Sequence, residues 1–159
     1  MKNKIAILSC DPNSINSEII YKAWQKLSSN NRKNIYLISN YSLLKNQFRL
    51  LKYSIKLTKV KKINNNLKST NLKILDIPLK FNKPFKVSLK SASAFIKKSF
   101  DLAHDLAING DVKGIINCPL NKKLLDKKYY GVTEYLASKC KIKNGTEVML
   151  NKKKNLSVL

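Results

Sequence analysis

Short apolar runs alternate with stretches of helical period along this chain, and that alternation constrains its fold more than any other feature. Residues 4–9 form an apolar run that ends in Asp11-Pro12-Asn13-Ser14, which reads as a strand closed by a turn. In residues 17–28, Ile19, Ile20, Ala23, Trp24 and Leu27 recur at helical spacing. Asn16 or Ser17 can cap this helix, and Glu18 suits its positive end. Residues 34–39 read as a second strand. Residues 41–52 read as a helix with Leu43, Leu44, Phe48 and Leu51 on one side. Residues 54–60 and 72–77 read as further strands, the latter closed by Pro78.

Residues 81–87 are irregular. The longest helix follows at 91–109, with Ser91 as its expected cap and Asn109-Gly110 as its end. Its apolar stripe includes Ala92, Phe95, Ile96, Leu102, Ala103 and Leu106. The apolar run 114–117 predicts a buried parallel strand. Helices are expected at 120–125 and 133–139, and strands at 147–150 and 156–159. Strand–helix alternation of this kind predicts an α/β fold with a mostly parallel, layered sheet. No Pro- or Gly-rich linker divides the chain, so residues 1–159 are read as a single α/β unit without an internal boundary.

Composition narrows the function classes. No apolar run is long enough to span a membrane. The apolar start at residues 5–8 is too short for a secretory leader, and Asp11 interrupts it. A cytoplasmic location is therefore expected. Cys10, Cys118 and Cys140 fit neither a disulfide framework nor a zinc spacing. The net charge of +23 would attract nucleic acid. Against that reading, Arg32 and Arg49 are the only arginines, and the lysines are spread over every segment. Arginine makes the bidentate contacts to phosphates and bases. The charge is read as solvated surface together with an anionic substrate, and a small basic nucleic-acid-binding protein is the alternative.

Open parallel sheets bind ligands where loops leave the C-terminal ends of their strands. Residues 10–17 and 117–122 take such positions. The first loop has no glycine, so it carries no dinucleotide fingerprint. Asp11 reads most simply as a turn-forming residue, Glu18 as a helix-start carboxylate and Thr133 as a helix cap. Lys122 is either a solvated lysine beside Lys123 or an anchor for a phosphate or carboxylate. His104, the sole histidine, is expected to pair with Asp101 on one helix face.

Three segments carry a family resemblance. The first, Cys10-Asp11-Pro12-Asn13-Ser14-Ile15-Asn16-Ser17-Glu18, is similar to Gly-Asp-Pro-x-Gly-Ile-Gly-Pro-Glu, with Cys10, Ser14 and Asn16 at the glycines and Ser17 at the second proline. The second, Asn117-Cys118-Pro119-Leu120-Asn121-Lys122, resembles Thr-Ala-Pro-Ile-Asn-Lys. The third, Gly131-Val132-Thr133-Glu134-Tyr135-Leu136-Ala137, resembles Gly-His-Thr-Glu-Phe/Tyr-Leu-Ala. Together they resemble the 4-hydroxythreonine-4-phosphate dehydrogenases of pyridoxine and pyridoxal phosphate biosynthesis.

The resemblance follows nearly the whole chain in order and spacing, with identity concentrated in these segments. It implies the fold of the isocitrate and isopropylmalate dehydrogenases, incomplete at the C-terminus, and a homodimer in the full-length form. It also implies NAD-dependent (or NADP-dependent) oxidation with decarboxylation of 4-hydroxy-L-threonine 4-phosphate, assisted by a divalent metal such as Zn, Mg or Co. The main cofactor and metal ligands would then lie beyond Leu159, leaving a fragment of uncertain activity. Within the chain the resemblance assigns substrate binding to Thr133 and Lys122, with Asp11 and Glu18 shaping the first loop. Val132 stands where the family has a substrate-contacting His, and valine can neither titrate nor hydrogen-bond through its side chain. A degenerate, non-catalytic relative is therefore a further alternative.

Overall fold

The computed structural model describes residues 3–64, 69–125, 129 and 131–140, and the backbone alone of Asn151–Lys153 and Leu156–Val158. Five parallel strands form the main sheet: β1 (Ile5–Leu8), β2 (Ile35–Ser39), β3 (Leu57–Val60), β4 (Leu72–Asp76) and β5 (Gly114–Asn117). Their spatial order is β3-β4-β2-β1-β5. Ile5 pairs with Ile35 on one side and with Gly114 on the other, so β1 lies between β2 and β5. Every pairing within this sheet is parallel, as strand–helix alternation predicts.

The helices are α1 (Asn16–Lys26), α2 (Ser29–Arg32), α3 (Tyr41–Leu50), α4 (Leu89–Ile108) and α5 (Val132–Lys139). A 3-10 turn spans Lys122–Leu124. α1 packs on α3, and α4 lies against β1, β2 and β5. The core joins Leu8, Tyr36, Leu37, Ile38, Ile74, Phe95, Ile96 and Phe100, each almost fully buried. All five residues of β2 are buried, in keeping with its apolar run Ile35–Ile38.

Several local expectations are corrected. The start of α1 has no side-chain cap; Asn16 and Ser17 are buried in its first turn instead. α4 begins two residues early because Ser88, not Ser91, accepts from a free backbone N–H at the helix start, that of Ser91. Ser28 likewise caps the short helix α2, which periodicity did not reveal. The expected buried strand at 114–117 exists, but it is the edge of the five-stranded sheet, and Ile116 is 55% exposed. Only three residues of the expected 120–125 helix are helical, and they form the 3-10 turn. β3 is shorter than residues 54–60.

Near the C-terminus, β6 (Asn151–Lys153) pairs antiparallel with β7 (Leu156–Val158). β7 matches the expected last strand. The expected strand at 147–150 lies outside the described residues.

Candidate active-site edge

The C-terminal ends of β1 and β5 carry the first two motif segments side by side, because Leu8 pairs with Asn117. The first loop turns sharply at Cys10, which adopts a left-handed backbone (φ 54). That conformation costs a residue with a Cβ about 1 kcal/mol. Amide side chains, those of Asn16 and Gln47 buried, hold the loop in place. Asn13 makes a two-way bond with the Val87 backbone, its Nδ2 donating to O and its Oδ1 accepting from N, both at 2.8 Å. Gln47 Nε2, from α3, donates to Pro12 O at 2.8 Å. Asn16 Nδ2 donates to Ser9 O at 2.9 Å and to Pro119 O at 2.7 Å.

These bonds explain how a loop without glycine keeps its shape. Sequence reasoning missed Asn13, Asn16 and Gln47 as its anchors. The available signal was a cluster of amide residues next to a loop that had to satisfy its own backbone.

Asp11 Oδ1 accepts from Asn13 N at 2.9 Å, a local turn bond. Glu18 lies in the first turn of α1 and pairs with Lys22 at 2.6 Å across one helical turn. Lys122 is exposed in the 3-10 turn after Pro119. The turn is fixed to α4 by Ser93 Oγ, which donates to Leu124 O at 2.8 Å. Two buried polar atoms at the edge, Asn16 Oδ1 and Ser17 Oγ, have no hydrogen-bond partner among the described residues.

The third segment sits on α5. Thr133 is exposed in its first turn and is not the cap; Gly131 holds that position without a side-chain bond. Val132 is partly buried and packs against the core. Tyr135 anchors the helix. Its ring meets Phe100 at 5.8 Å and Tyr129 at 5.2 Å, and its hydroxyl donates to Asp101 Oδ1 at 3.3 Å. Lys139 closes an ion pair with Asp101. Burial raises the Tyr135 phenol above its ordinary value, and the Asp101 charge adds to that shift.

Asp101 therefore does not pair with His104. The His104 Nδ1 lies 3.5 Å from Asp105 Oδ1. The physical reason is that α5 brings Lys139 and Tyr135 to Asp101 from another element. The structure thus joins the first two segments by a direct hydrogen bond and carries the third on α4, against which the 3-10 turn also packs.

Burial raises the Cys118 thiol to about 11. The Cys10 thiol is also pushed up, by burial first and then by the neighbouring Cys118. Both are inert packing groups at neutral pH. Among the described residues no group of three or more His, Cys, Asp or Glu is placed to hold a metal ion. The first loop offers no glycine for a pyrophosphate. The described residues therefore fit neither a metal nor a dinucleotide. No helix among them is long and apolar enough to cross a membrane.

A parallel sheet with polar loops gathered at the ends of β1 and β5 defines an α/β protein of the open-sheet class. The family model for "Pyridoxal phosphate biosynthetic protein PdxA" matches residues 31–159, and the chain belongs to that family. A curated relative, the 4-hydroxythreonine-4-phosphate dehydrogenase of a Sulfurihydrogenibium species, is 26% identical over 98% of this chain and 48% of its own length. Among solved structures, a Salmonella typhimurium chain assigned to the same enzyme superposes with a TM-score of 0.81 at 24% identity, over 98% of this chain and 50% of that one. The Burkholderia phymatum enzyme gives 0.75 at 22% identity, over 87% of this chain and 43% of that one. The fold is thus the isocitrate dehydrogenase-like fold of these dehydrogenases, and the chain spans about half the length of the relatives it matches.

Proposed function

We propose that this chain is the N-terminal half of an NAD-dependent dehydrogenase that oxidises and decarboxylates 4-hydroxy-L-threonine 4-phosphate on the route to pyridoxal phosphate. The observation that carries this reading is the joining of the first two family motifs at one sheet edge by the Asn16–Pro119 hydrogen bond. The family membership and the dehydrogenase names of the relatives support it.

In this reading the exposed Thr133 hydroxyl positions the substrate. The Lys122 ammonium offers a point charge to its phosphate or carboxylate. Asp11 and Glu18 hold the shape of the first loop and of the helix start behind it. In the whole enzyme NAD, or NADP, would supply the hydride acceptor, and a divalent ion such as Zn, Mg or Co would supply positive charge near the reacting oxygens. Those groups are assigned to the half that this chain does not span. The full-length form is proposed to be a cytoplasmic homodimer.

Two measurements test the proposal. Incubated with substrate, NAD and divalent metal, the chain is expected to produce no NADH, and robust turnover would show that the catalytic groups were misplaced. The phosphorylated substrate is expected to raise the thermal midpoint of the chain, and Thr133→Ala to remove that rise. A midpoint indifferent to substrate would remove the binding roles of Thr133 and Lys122.

The partly buried Val132 favours a second reading, a non-catalytic relative, because an apolar side chain packs where the family places a polar contact. Val132→His in a version joined to a relative's C-terminal half distinguishes the two. Restored turnover only with His supports a lost activity, and turnover with Val132 in place excludes it.

A further inference from the structure

Away from the sheet edge, α4 and the end of α5 bring a thiol, an imidazole and a carboxylate into line. Cys140 caps the C-terminus of α5 and is exposed. Its Sγ lies 3.9 Å from His104 Nε2. The other ring nitrogen of His104, Nδ1, lies 3.5 Å from Asp105 Oδ1. The His104 side chain is 19% exposed and that of Asp105 70%. The connectivity of nucleophile to one ring nitrogen and carboxylate to the other lets a histidine accept a proton while a third group orients it.

We propose that Cys140 is a peroxide-reactive thiol whose proton is taken by His104. The sulfur attacks one oxygen of a hydroperoxide, so that an S–O bond forms as the O–O bond breaks. Sulfur gives up two electrons, and the peroxide is reduced by the same two. Nε2 of His104 receives the thiol proton and returns it to the departing hydroxide. The products are cysteine sulfenic acid and one water (for hydrogen peroxide), with no further reductant or oxidant required.

The surroundings are compatible with a proton shuttle here. Asp101, one helical turn before Asp105, is occupied by Lys139 and the Tyr135 hydroxyl. Among the charged groups described on α4 and α5, Asp105 is therefore the carboxylate that meets the imidazole. The same thiol donates to Leu136 O at 3.5 Å within the helix C-cap, a bond that transfer of its proton to Nε2 must break. Cys10 and Cys118 serve as internal references, since both are buried with thiols pushed up.

The chain is treated with hydrogen peroxide at neutral pH, sulfenic acid is trapped with a 1,3-dione, and each cysteine peptide is quantified by mass spectrometry. Trapping is expected at Cys140 and not at Cys10 or Cys118. His104→Ala is expected to slow it by about a hundredfold or more, the lower range of a lost general base. Added imidazole is expected to restore part of that rate, which a merely structural role would not allow. Asp105→Asn, on an exposed side chain, is expected to slow it by a smaller factor. Circular dichroism verifies folding, and His104→Gln replaces His104→Ala if the latter unfolds. A rate unchanged by loss of the imidazole, or a Cys140 no faster than free cysteine, overturns the proposal.

Discussion

Asn16 Nδ2 donates to Pro119 O at 2.7 Å, a bond between residues 103 apart in sequence that ties the loop after β1 to the loop after β5. The same nitrogen donates to Ser9 O at 2.9 Å, and Asn16 is only 2% exposed. Removing it takes the side-chain donor from two carbonyl oxygens in part-buried bonds. A buried polar group that loses its partner costs about 1–3 kcal/mol. Asn16→Ala is therefore expected to lower unfolding stability by about 2 kcal/mol, read from the midpoint of a urea titration. Asn16→Asp is expected to cost more, because a carboxylate cannot donate to either carbonyl. A midpoint unchanged in Asn16→Ala would mean that the two loops hold their positions independently.

Lys52 offers the opposite case, a position where the sequence is not optimal for its backbone. After α3, Tyr53 N donates to Phe48 O at 2.8 Å and Lys52 N to Arg49 O at 3.2 Å. These are the two bonds of a Schellman helix end, and they place Lys52 at the left-handed position (φ 56). Glycine adopts that conformation without the Cβ clash. Lys52→Gly is expected to stabilise the chain by about 1 kcal/mol, measured by thermal or chemical denaturation. A loss of stability would show that the lysine stem contributes packing that outweighs its backbone strain.

Tyr135 separates packing from hydrogen bonding within the third motif. Its ring is buried against Phe100 and Tyr129, while its hydroxyl shares Asp101 with Lys139. Tyr135→Phe leaves the ring contacts and the ion pair in place, so it is expected to cost no more than about 1 kcal/mol. Tyr135→Ala empties the contact between α4 and α5 and is expected to cost about 3 kcal/mol or more. Comparable losses in the two variants would assign the anchor to the hydroxyl instead of the ring.

The parallel layered sheet was legible because short strand-like runs alternate with helical stripes of period 3.6. Ile35–Ile38 show it best, being apolar throughout and buried. The exposure of β5 was not legible, since a short run around Ile115 and Ile116 reads the same at the centre of a sheet as at its edge. The motif segments could be placed at strand ends from sequence, but their anchors could not. Asn13 reaches Val87 and Gln47 reaches Pro12 across gaps of 74 and 35 residues, and no local pattern encodes those pairs. The same limit applies to His104. Helical spacing pointed to Asp101, but Lys139 and Tyr135 arrive there from α5.

Lys73 supplies a prediction in pH. It lies on β4, is fully buried, and donates from Nζ to Arg32 O at 2.8 Å and to Ser69 O at 3.2 Å. Its ammonium also stands 5.1 Å from the centre of the Tyr36 ring. Two carbonyls and a ring face solvate the charge less well than water does. Burial, with the Lys4 charge as a smaller cause, brings its value down from 10.5 to about 8. Below pH 8 the lysine is protonated in both states, and the folded chain bears the whole desolvation penalty. Between pH 8 and 10.5 the unfolded chain holds a proton that the folded chain has released, so stability rises with pH. The rise amounts to roughly 3 kcal/mol for a shift of this size, and it ends above the unfolded value. Denaturation curves collected across this window for the chain and for Lys73→Met isolate the effect, because the other titrating groups are common to both. The difference between the two proteins is expected to move in favour of the lysine form as pH increases. Parallel pH dependences would mean that the Lys73 ammonium is satisfied within the fold.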